Sequence, residues 1–257
     1  MDSEQVTISA GVPTIWMGLI QTYSAAQDPV HPQHGRWKLP TGMRSLVGGA
    51  AVPESLIRAF DAHGIWLLQG WGMTETSPIG TVGGPTWDWD SLTLEQKIEK
   101  TAMQGRPIFG VQLRTVDLSD MSTELPRDGK TSGALQIRGP WVIKRYFKAD
   151  KDAVNNEGWF DTGDVGILHP DGTLQLTDRT KDVIKSGGEW ISSVELENAA
   201  CGHPAVAEAA CIGITHPKWD ERPVLFVVKK PGAEVSGDDI IEHLKPLIAK
   251  WWLPDAV

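Results

Sequence analysis

The sequence contains little cysteine, no long apolar segment and no basic amino-terminal region. Its only cysteines are Cys201 and Cys211, and neither has metal-ligand spacing or a His partner in a recognised pattern. No stretch is apolar enough to span a membrane, and residues 1–11 lack the basic and apolar regions of a secretory signal. These absences predict a cytoplasmic protein whose two cysteines are buried and reduced.

Positive charge is also scarce. The 24 Lys and Arg residues are outnumbered by 33 Asp and Glu residues, which gives a formal charge of −9. Binding to a phosphate backbone requires clustered Lys and Arg, so we expect no nucleic-acid partner. The seven histidines show no ligand spacing and are predicted to lie at the surface or in turns. The composition indicates no particular oligomeric state.

One region has the pattern of a βαβ unit. A strand at residues 44–47 runs into the sequence GGAA at residues 48–51, and a second strand at residues 65–69 runs into GWG at residues 70–72. Pro53 opens the helix between them, with Glu54 in its first turn. Both glycine loops therefore follow successive, parallel strands. Open α/β sheets bind ligands at the carboxyl ends of such strands.

The remaining predicted elements surround this unit and follow it. We predict helices at residues 12–25, 194–200 and 238–250, strands at residues 111–116, 134–137, 206–214 and 224–229, and a hairpin at residues 165–177. A polar, partly helical insertion is predicted at residues 87–101, and turns at residues 105–107 and 128–133. The elements after Arg179 are expected to form a second, smaller unit.

The strongest local signal is the run GWGMTET at residues 70–76. Paired glycines let backbone amides approach a phosphate closely. The hydroxyl of Thr74 can hydrogen-bond a phosphoryl oxygen, and the carboxylate of Glu75 can hold the Mg²⁺ that accompanies a nucleotide. Trp71 offers a flat face on which a base can stack. The alternative is a strand-to-loop turn with a capping Thr, because short Gly/Thr motifs recur by chance.

Three further segments add to this signal. In GWFDTGD at residues 158–164, the carboxylate of Asp164 can accept hydrogen bonds from both ribose hydroxyls; the alternative is an Asx-type turn before the hairpin. Residues 178–191, DRTKDVIKSGGEWI, combine dense charge with a diglycine, and a solvated linker is the alternative there. The third segment, GALQIRGP at residues 133–140, reads as a strand and a turn.

In this order and at these spacings, the four segments resemble the adenylate-forming, or AMP-binding, superfamily of acyl-CoA synthetases, luciferases and peptide-synthetase adenylation domains. The resemblance implies the C-terminal part of a large α/β domain with a β-barrel-like subdomain at residues 1–178. A small α+β C-terminal domain would follow at residues 179–257. The chain is thus expected to be an internal or C-terminal fragment. The implied ligands are ATP or AMP, Mg²⁺, coenzyme A and a small-molecule carboxylic acid.

The resemblance also implies which residues bind the nucleotide. In the two glycine loops these positions are Gly48, Gly49, Ala50, Ala51, Gly70, Trp71, Gly72 and Met73. The first four would pack against adenine, and Trp71 would stack on the base. Thr74 would contact the α-phosphate, and Glu75 would bind Mg²⁺. Asp164 would bind the ribose hydroxyls, and Arg179 would also reach the ribose.

The resemblance also implies that residues of the smaller unit act in the second half-reaction. Lys181 resembles the hinge about which the small domain turns, and Gly187 and Gly188 resemble the turn that borders the pantetheine tunnel. Lys185 is a catalytic candidate, together with Thr74 and Glu75. Attack of a carboxylate on the α-phosphate brings two anions together, so cations and amide dipoles must offset the charge. Attack of the CoA thiol follows, and a hinge lets one small domain serve both steps.

The segments at residues 185–197 and 250–255 resemble the medium- and long-chain fatty acyl-CoA synthetase branch, which includes ligases of 3-methylmercaptopropionate. The implied function is ATP-dependent activation of a carboxylic acid to acyl-AMP, followed by thioester formation with CoA. A fatty or short aliphatic acid is the first choice of substrate, and an aryl acid is the second. Three positions depart from the family pattern. Trp71 stands where many relatives have Tyr, Ala134 replaces a common Glu, and Asp178 replaces a common Gly. None of these changes removes an essential functional group.

Two parts of the family's machinery are missing from this sequence. These are the upstream Thr/Ser/Gly-rich phosphate loop that ends in Lys and the carboxy-terminal Gly-Lys motif. We therefore expect the chain alone not to adenylate an acid at a useful rate. Two alternatives stay open: a peptide-synthetase adenylation domain that serves a carrier protein, and a non-catalytic nucleotide-binding remnant. The polar residues retained in the four segments argue against the second alternative.

Overall fold

The computed structural model describes residues 1, 3–50 and 52–257. The helices are α1 (Pro13–Ala25), α2 (Glu54–Asp61), α3 (Leu94–Ala102), α4 (Ser193–Cys201) and α5 (Gly237–Leu244). The strands are β1 (Ile8–Gly11), β2 (Arg44–Gly48), β3 (Trp66–Gly72), β4 (Ile79–Val82), β5 (Arg106–Pro107), β6 (Gln112–Val116), β7 (Ser132–Arg138), β8 (Phe160–Leu168), β9 (Leu174–Arg179), β10 (Ile184–Ser186), β11 (Glu189–Ile191), β12 (Val206–His216) and β13 (Asp220–Lys229). In the described part of the chain they form one five-stranded and two four-stranded sheets. The predicted α/β class is confirmed.

The five-stranded sheet contains the predicted βαβ unit. Its order is β1-β2-β3-β4-β5, with β1, β2 and β3 parallel and the last two strands antiparallel to their neighbours. Helix α2 begins after Pro53 and has Glu54 in its first turn, where a carboxylate interacts favourably with the helix dipole. Its apolar residues Leu56, Ile57 and Phe60 are buried. Strands β2 and β3 therefore end at the same edge of the sheet, as predicted.

The second sheet is an antiparallel arrangement in the order β6-β7-β8-β9. Its hydrophobic cluster is built around residues such as Leu135, Ile137 and Phe160, and it also contains Trp71 from β3. Trp71 thus connects the first sheet to the second. The hairpin predicted at residues 165–177 is confirmed, and its strands extend beyond that range at both ends.

The third sheet belongs to the smaller unit and has the order β11-β10-β13-β12. Helices α4 and α5 contribute Leu196 and Ile240 to a hydrophobic cluster with Ile191 and Leu225. The residues of this cluster all lie after position 183, so the smaller unit has a core of its own. A turn at residues 180–183 leads from β9 into it.

The final helix is shorter than predicted. The sequence pattern predicts a helix at residues 238–250, but α5 ends at Leu244 and only a single 3-10 turn, Lys250–Trp252, follows. Pro246 explains the difference, because proline has no backbone N–H to donate and disfavours the helical conformation of the residue before it.

Several short strands are not predicted by the sequence pattern. Residues 70–72, expected to be a loop, are the last residues of β3 because β4 pairs with them. The turn expected at residues 105–107 contains the two-residue strand β5. The linker alternative for residues 178–191 is wrong for most of that segment, because β10 and β11 pair there as a hairpin.

One prediction about the cysteines is also wrong. Cys211 is buried, but Cys201, the last residue of α4, is exposed. Among the described residues, no helix combines the length and the apolarity that crossing a bilayer requires.

Candidate functional site

Two predicted glycines lie where backbone segments approach each other at the carboxyl edge of the first sheet. Gly48 pairs with Gly70 across β2 and β3, and a Cβ on Gly48 would lie 2.5 Å from the carbonyl oxygen of Gly70. A Cβ on Gly72 would overlap the carbonyl oxygen of Pro78. Protein packing alone therefore requires glycine at Gly48 and Gly72.

The loop after β2 is open to solvent. Gly49 has a φ of 87°, a conformation that favours glycine, and Gly49 and Ala50 are both exposed. The predicted Ala51 lies outside the described residues. The exposed part of this loop lies at the same sheet edge as the end of β3.

The buried carboxylate of Asp164 joins two other predicted site residues. The indole Nε1 of Trp71 donates to Oδ2 of Asp164 at 2.8 Å, and Nε of Arg179 lies 2.8 Å from Oδ1 of the same carboxylate. Asp164 and Arg179 face each other across β8 and β9. Asp164 is almost fully buried, whereas the side chain of Arg179 is largely exposed.

Opposing influences set the pKa of Asp164. Burial raises the pKa of this carboxyl above its ordinary value, because a charge is less stable away from water. The hydrogen bond from Trp71 and the positive charge of Arg179 lower the pKa, and the neighbouring Asp161 raises it. The net result is a raised pKa, so the two donors only partly offset the cost of burying the charge.

The turn after β3 presents Thr74 and Glu75. It is a single 3-10 turn, Thr74–Thr76, and its geometry is held by the hydroxyl of Thr76. That hydroxyl accepts from the backbone N–H of Met73 at 2.9 Å and donates to the carbonyl of Pro78 at 2.6 Å. Thr74 is exposed and Glu75 is partly exposed. Met73 itself packs against the core of the second sheet.

A contact that the sequence patterns do not predict holds this turn. The segment at residues 141–146 lies against it, and the Tyr146 hydroxyl donates to Oε1 of Glu75 at 2.9 Å. The negative charge of Glu75 raises the pKa of Tyr146 above its ordinary value, mainly through this hydrogen bond. The two residues are far apart in sequence, and no motif or spacing connects them, so only the tertiary structure identifies Tyr146.

The predicted residues of the smaller unit lie apart from these groups. Gly187 and Gly188 form the two-residue turn of the β10–β11 hairpin, with φ values of 62° and 89°, and such turns require residues that tolerate positive φ. Nζ of Lys185 lies 5.9 Å from the ring centroid of Trp190, and Lys181 is exposed in the turn at residues 180–183. None of the hydrogen bonds or ion pairs between described residues joins these four residues to the turn Thr74–Thr76.

Asp178, a departure from the family pattern, bonds across the turn at residues 180–183. Its Oδ2 accepts from the backbone N–H of Ser193 at 2.6 Å, and its Oδ1 accepts from the Ser193 hydroxyl at 3.1 Å. The hydroxyl of Ser192 also donates to the carbonyl of Thr177 at 2.6 Å. The start of α4 is thereby attached to the end of β9. Burial raises the pKa of Asp178.

The described residues contain no group of three or more His, Cys, Asp or Glu side chains that could hold a metal ion. Glu75 therefore belongs to no such group. A single carboxylate is typical of Mg²⁺ sites in which substrate phosphates and water complete the coordination. It is not typical of a site in which protein side chains alone enclose a metal.

Polar side chains thus gather beyond the carboxyl ends of parallel strands, which is the ligand-binding arrangement of open α/β proteins. A sequence profile of the AMP-binding enzyme family matches residues 1–147, and a profile of the AMP-binding enzyme C-terminal domain matches residues 195–257. The chain belongs to the AMP-binding enzyme family. The resemblance found in the sequence is confirmed.

Individual relatives include CoA ligases. The chain is 46% identical to 3-methylmercaptopropionyl-CoA ligase of Ruegeria lacuscaerulensis, over 100% of the chain and 46% of that protein. It is 42% identical to the medium-chain-fatty-acid–CoA ligase of Ectopseudomonas oleovorans, over 99% and 45% respectively. The structure also matches a solved structure of O-succinylbenzoate coenzyme A synthetase from Bacillus subtilis, in complex with ATP and magnesium ion. The TM-score is 0.77 and the sequence identity is 28%, and the match covers 99% of the chain and 48% of that structure. The chain spans about half the length of the curated relatives it matches.

Proposed function

We propose that this chain forms part of an acid–thiol ligase that activates a carboxylic acid with ATP and then transfers the acyl group to coenzyme A. Two relatives that match nearly the whole chain are named as CoA ligases, which supports this reaction over transfer to a carrier protein. The names of those relatives also support a fatty acid or a short aliphatic acid as the substrate class.

The observation that carries the proposal is the buried carboxylate of Asp164, held by Trp71 and Arg179. A carboxylate accepts hydrogen bonds from both hydroxyls of a ribose, and each of its oxygens can accept more than one donor. The exposed guanidinium of Arg179 has further donors for the same sugar. These residues therefore fit the nucleoside part of ATP or AMP. The aromatic ring of Trp71, and the loop with Gly48, lie at the same edge.

The turn after β3 fits the phosphate groups of the nucleotide. Trp71 and Thr74 are three residues apart, so their Cα atoms lie within about 11 Å of each other. We propose that this hydroxyl donates to the α-phosphate and that Glu75 is the metal ligand. A bound Mg²⁺ would supply charge neutralisation on the phosphate oxygens. Thr74 would keep the α-phosphate oriented towards the attacking carboxylate.

The second half-reaction is assigned to the smaller unit as part of the same proposal. We place the domain boundary between residues 178 and 179, with Lys181 as the hinge. Gly187 and Gly188 would border the path of the CoA thiol, and Lys185 would act nearby as a cationic group. The exposed positions of Lys181 and Lys185 are compatible with these roles. A cytoplasmic location, where ATP and CoA are available, belongs to the proposal too.

Binding of AMP to this chain tests the nucleotide site. Thermal unfolding should shift to higher temperature when AMP is added to the wild-type chain, because a ligand that binds the native state stabilises it. The Asp164→Ala chain should show little or no shift. Asp150→Ala is the matched control, since Asp150 is exposed and lies outside the site. A wild-type chain that AMP does not stabilise would contradict the proposal.

The chemical step needs a different assay. Because the chain spans less than half of its relatives' length, we expect no useful release of pyrophosphate from the chain alone. In the complete protein, acyl transfer to free CoA should exceed transfer to a phosphopantetheinylated carrier protein. The reverse preference would favour a peptide-synthetase adenylation domain. Turnover by the purified chain would refute the expectation that it is incomplete as a catalyst.

A further inference from the structure

The segment at residues 141–146 is attached to the turn after β3 at three points. The hydroxyl of Ser77 donates to the carbonyl of Trp141 at 3.0 Å, and the backbone N–H of Ile143 donates to the carbonyl of Glu75 at 2.8 Å. The third contact is the hydrogen bond from Tyr146 to the Glu75 carboxylate. Both the backbone and the side chain of Glu75 are therefore fixed by this segment.

The contact leaves one oxygen of Glu75 available. Tyr146 occupies Oε1, and within the described part of the chain no side chain or backbone group donates to Oε2. The side chain of Glu75 is partly exposed, so a ligand can reach it from solvent. One oxygen is thus oriented by the protein and the other is free to coordinate.

The donor to Glu75 is neutral even though cations are close in sequence. Lys144 and Arg145 precede Tyr146, but both pair with Asp152, at 3.9 Å and 3.0 Å. A Lys or Arg bound to Glu75 would cancel its charge and compete with a metal ion. A phenol hydroxyl orients the carboxylate through one hydrogen bond and leaves its negative charge in place.

We propose that Tyr146 is a positioning residue, whose hydroxyl holds Oε1 of Glu75 so that Oε2 faces the divalent cation that accompanies ATP. This role deepens the proposed function and rests on it. A cation bound to Oε2 would draw electron density from the carboxylate and weaken the hydrogen bond that Oε1 accepts from Tyr146.

The chain is well suited to a spectroscopic test because it has two tyrosines, Tyr23 and Tyr146. With ¹³C at the phenol carbon that carries the hydroxyl, the chain should give two NMR signals, which Tyr23→Phe assigns. Mg²⁺ with ATP should shift the Tyr146 signal in a saturable manner and leave the Tyr23 signal unchanged. Mn²⁺ with ATP should broaden the Tyr146 signal preferentially. Glu75→Gln should abolish both responses.

Calorimetry supplies the second readout. Tyr146→Phe should weaken the binding of Mg²⁺ in the presence of ATP about fivefold, which corresponds to one ordinary hydrogen bond. Tyr23→Phe should bind as the wild type does. The side chain of Tyr146 is 49% exposed, so removal of its hydroxyl should leave the thermal unfolding temperature nearly unchanged. A merely structural role would lower that temperature without a selective effect on the metal.

Two results would overturn the proposal. One is a Tyr146 signal in the wild-type chain that responds to neither cation; the other is an unchanged metal affinity in Tyr146→Phe. The AMP-induced thermal shift and its dependence on Asp164 are measured without a metal. If that shift is present while Tyr146 fails its tests, the positioning role is wrong and the proposed nucleotide site stands. If the shift is also absent, both proposals fail.

Discussion

At the scale of single residues, the carboxylate of Asp164 is the most constrained group of the site. It is buried, and each of its oxygens has a different partner: Trp71 from β3 and Arg179 from β9. Burial and hydrogen bonding act on it in opposite directions. The partners therefore orient the carboxylate, and they offset only part of the rise in pKa that burial causes.

Removal of the indole donor should change the ionisation of Asp164. In Trp71→Phe an aromatic ring remains but the N–H that lowers the pKa of Asp164 is lost, so this pKa should rise further. The pKa can be followed by NMR of ¹³C-labelled aspartate carboxyls. Trp66→Phe is the control, because Trp66 lies on the same strand and is exposed. An unchanged or lower Asp164 pKa in Trp71→Phe would contradict this reading of the contact.

The pKa of Asp178 predicts a dependence of stability on pH. Burial raises this pKa above the ordinary carboxyl value, and Asp182 raises it further, while donors from Arg179 and Ser193 lower it. Burial also raises the pKa values of the nearby Glu195 and Glu197. The native state therefore favours protonated carboxyls. Their contribution to stability is fully present below the ordinary carboxyl pKa and is lost as the pH rises through the higher folded-state pKa values.

We expect the free energy of unfolding of the wild-type chain to fall across that pH window, and to fall less steeply in Asp178→Asn. Urea denaturation at a series of pH values measures this. Asp150→Asn should retain the wild-type slope, because Asp150 is exposed. A slope in Asp178→Asn as steep as in the wild type would show that Asp178 does not contribute to the pH dependence.

The sequence singles out residues of the candidate site, but it does not predict the contacts between them. Trp71, Asp164 and Arg179 stand in recognisable motifs, but the hydrogen bond between positions 71 and 164 depends on how two sheets pack. Tyr146 has no such motif. It contacts Glu75 through a tertiary hydrogen bond, and local sequence carries no information about that contact.

At the scale of elements, the end of β3 and the turn that follows it depend on close backbone contact. Gly72 lies against the carbonyl of Pro78, and this contact fixes where the turn with Thr74 and Glu75 begins. The sequence pattern predicts a strand in β3 but not its continuation to Gly72, since that continuation results from pairing with β4. The final helix was predicted too long because the helical pattern of apolar residues continues past Pro246, whereas the backbone cannot.

A side chain at Gly72 should displace the turn. Gly72→Ala forces a clash with backbone atoms, and overpacking of this kind costs about 1–3 kcal/mol of stability. AMP binding should weaken as well, because Thr74 moves with the turn. Gly84→Ala is the matched control: its added Cβ would meet nothing within 4 Å. Equal stability and equal AMP affinity in the two variants would show that the close approach at Gly72 is unimportant.

At the scale of the whole molecule, the hydrophobic residues form separate clusters. One underlies the five-stranded sheet, one connects Trp71 to the second sheet, and one lies within the smaller unit. The sequence predicts a smaller unit after Arg179, and the separate cluster gives that unit a physical basis. The relative arrangement of the sheets could not be predicted, because it depends on contacts between residues far apart in sequence.

Separate clusters should respond separately to mutation. Leu196→Ala should destabilise the smaller unit by about 2–5 kcal/mol, since Leu196 is fully buried in its core. Hydrogen exchange should accelerate in β12 and β13 but not in β2 and β3. Leu67→Ala, in the cluster of the first sheet, should produce the converse pattern. Faster exchange in all four strands from either variant would indicate one cooperative unit.

The hydrogen bonds that span the turn at residues 180–183 have a consequence for motion. A rotation of the smaller unit about Lys181 would pull Ser192 and Ser193 away from Thr177 and Asp178, breaking three hydrogen bonds and removing two of the donors to the buried carboxylate. Each such bond contributes about 0.5–1.5 kcal/mol. A rotated arrangement must therefore form contacts of similar strength elsewhere, or it will be the minor population until a ligand stabilises it.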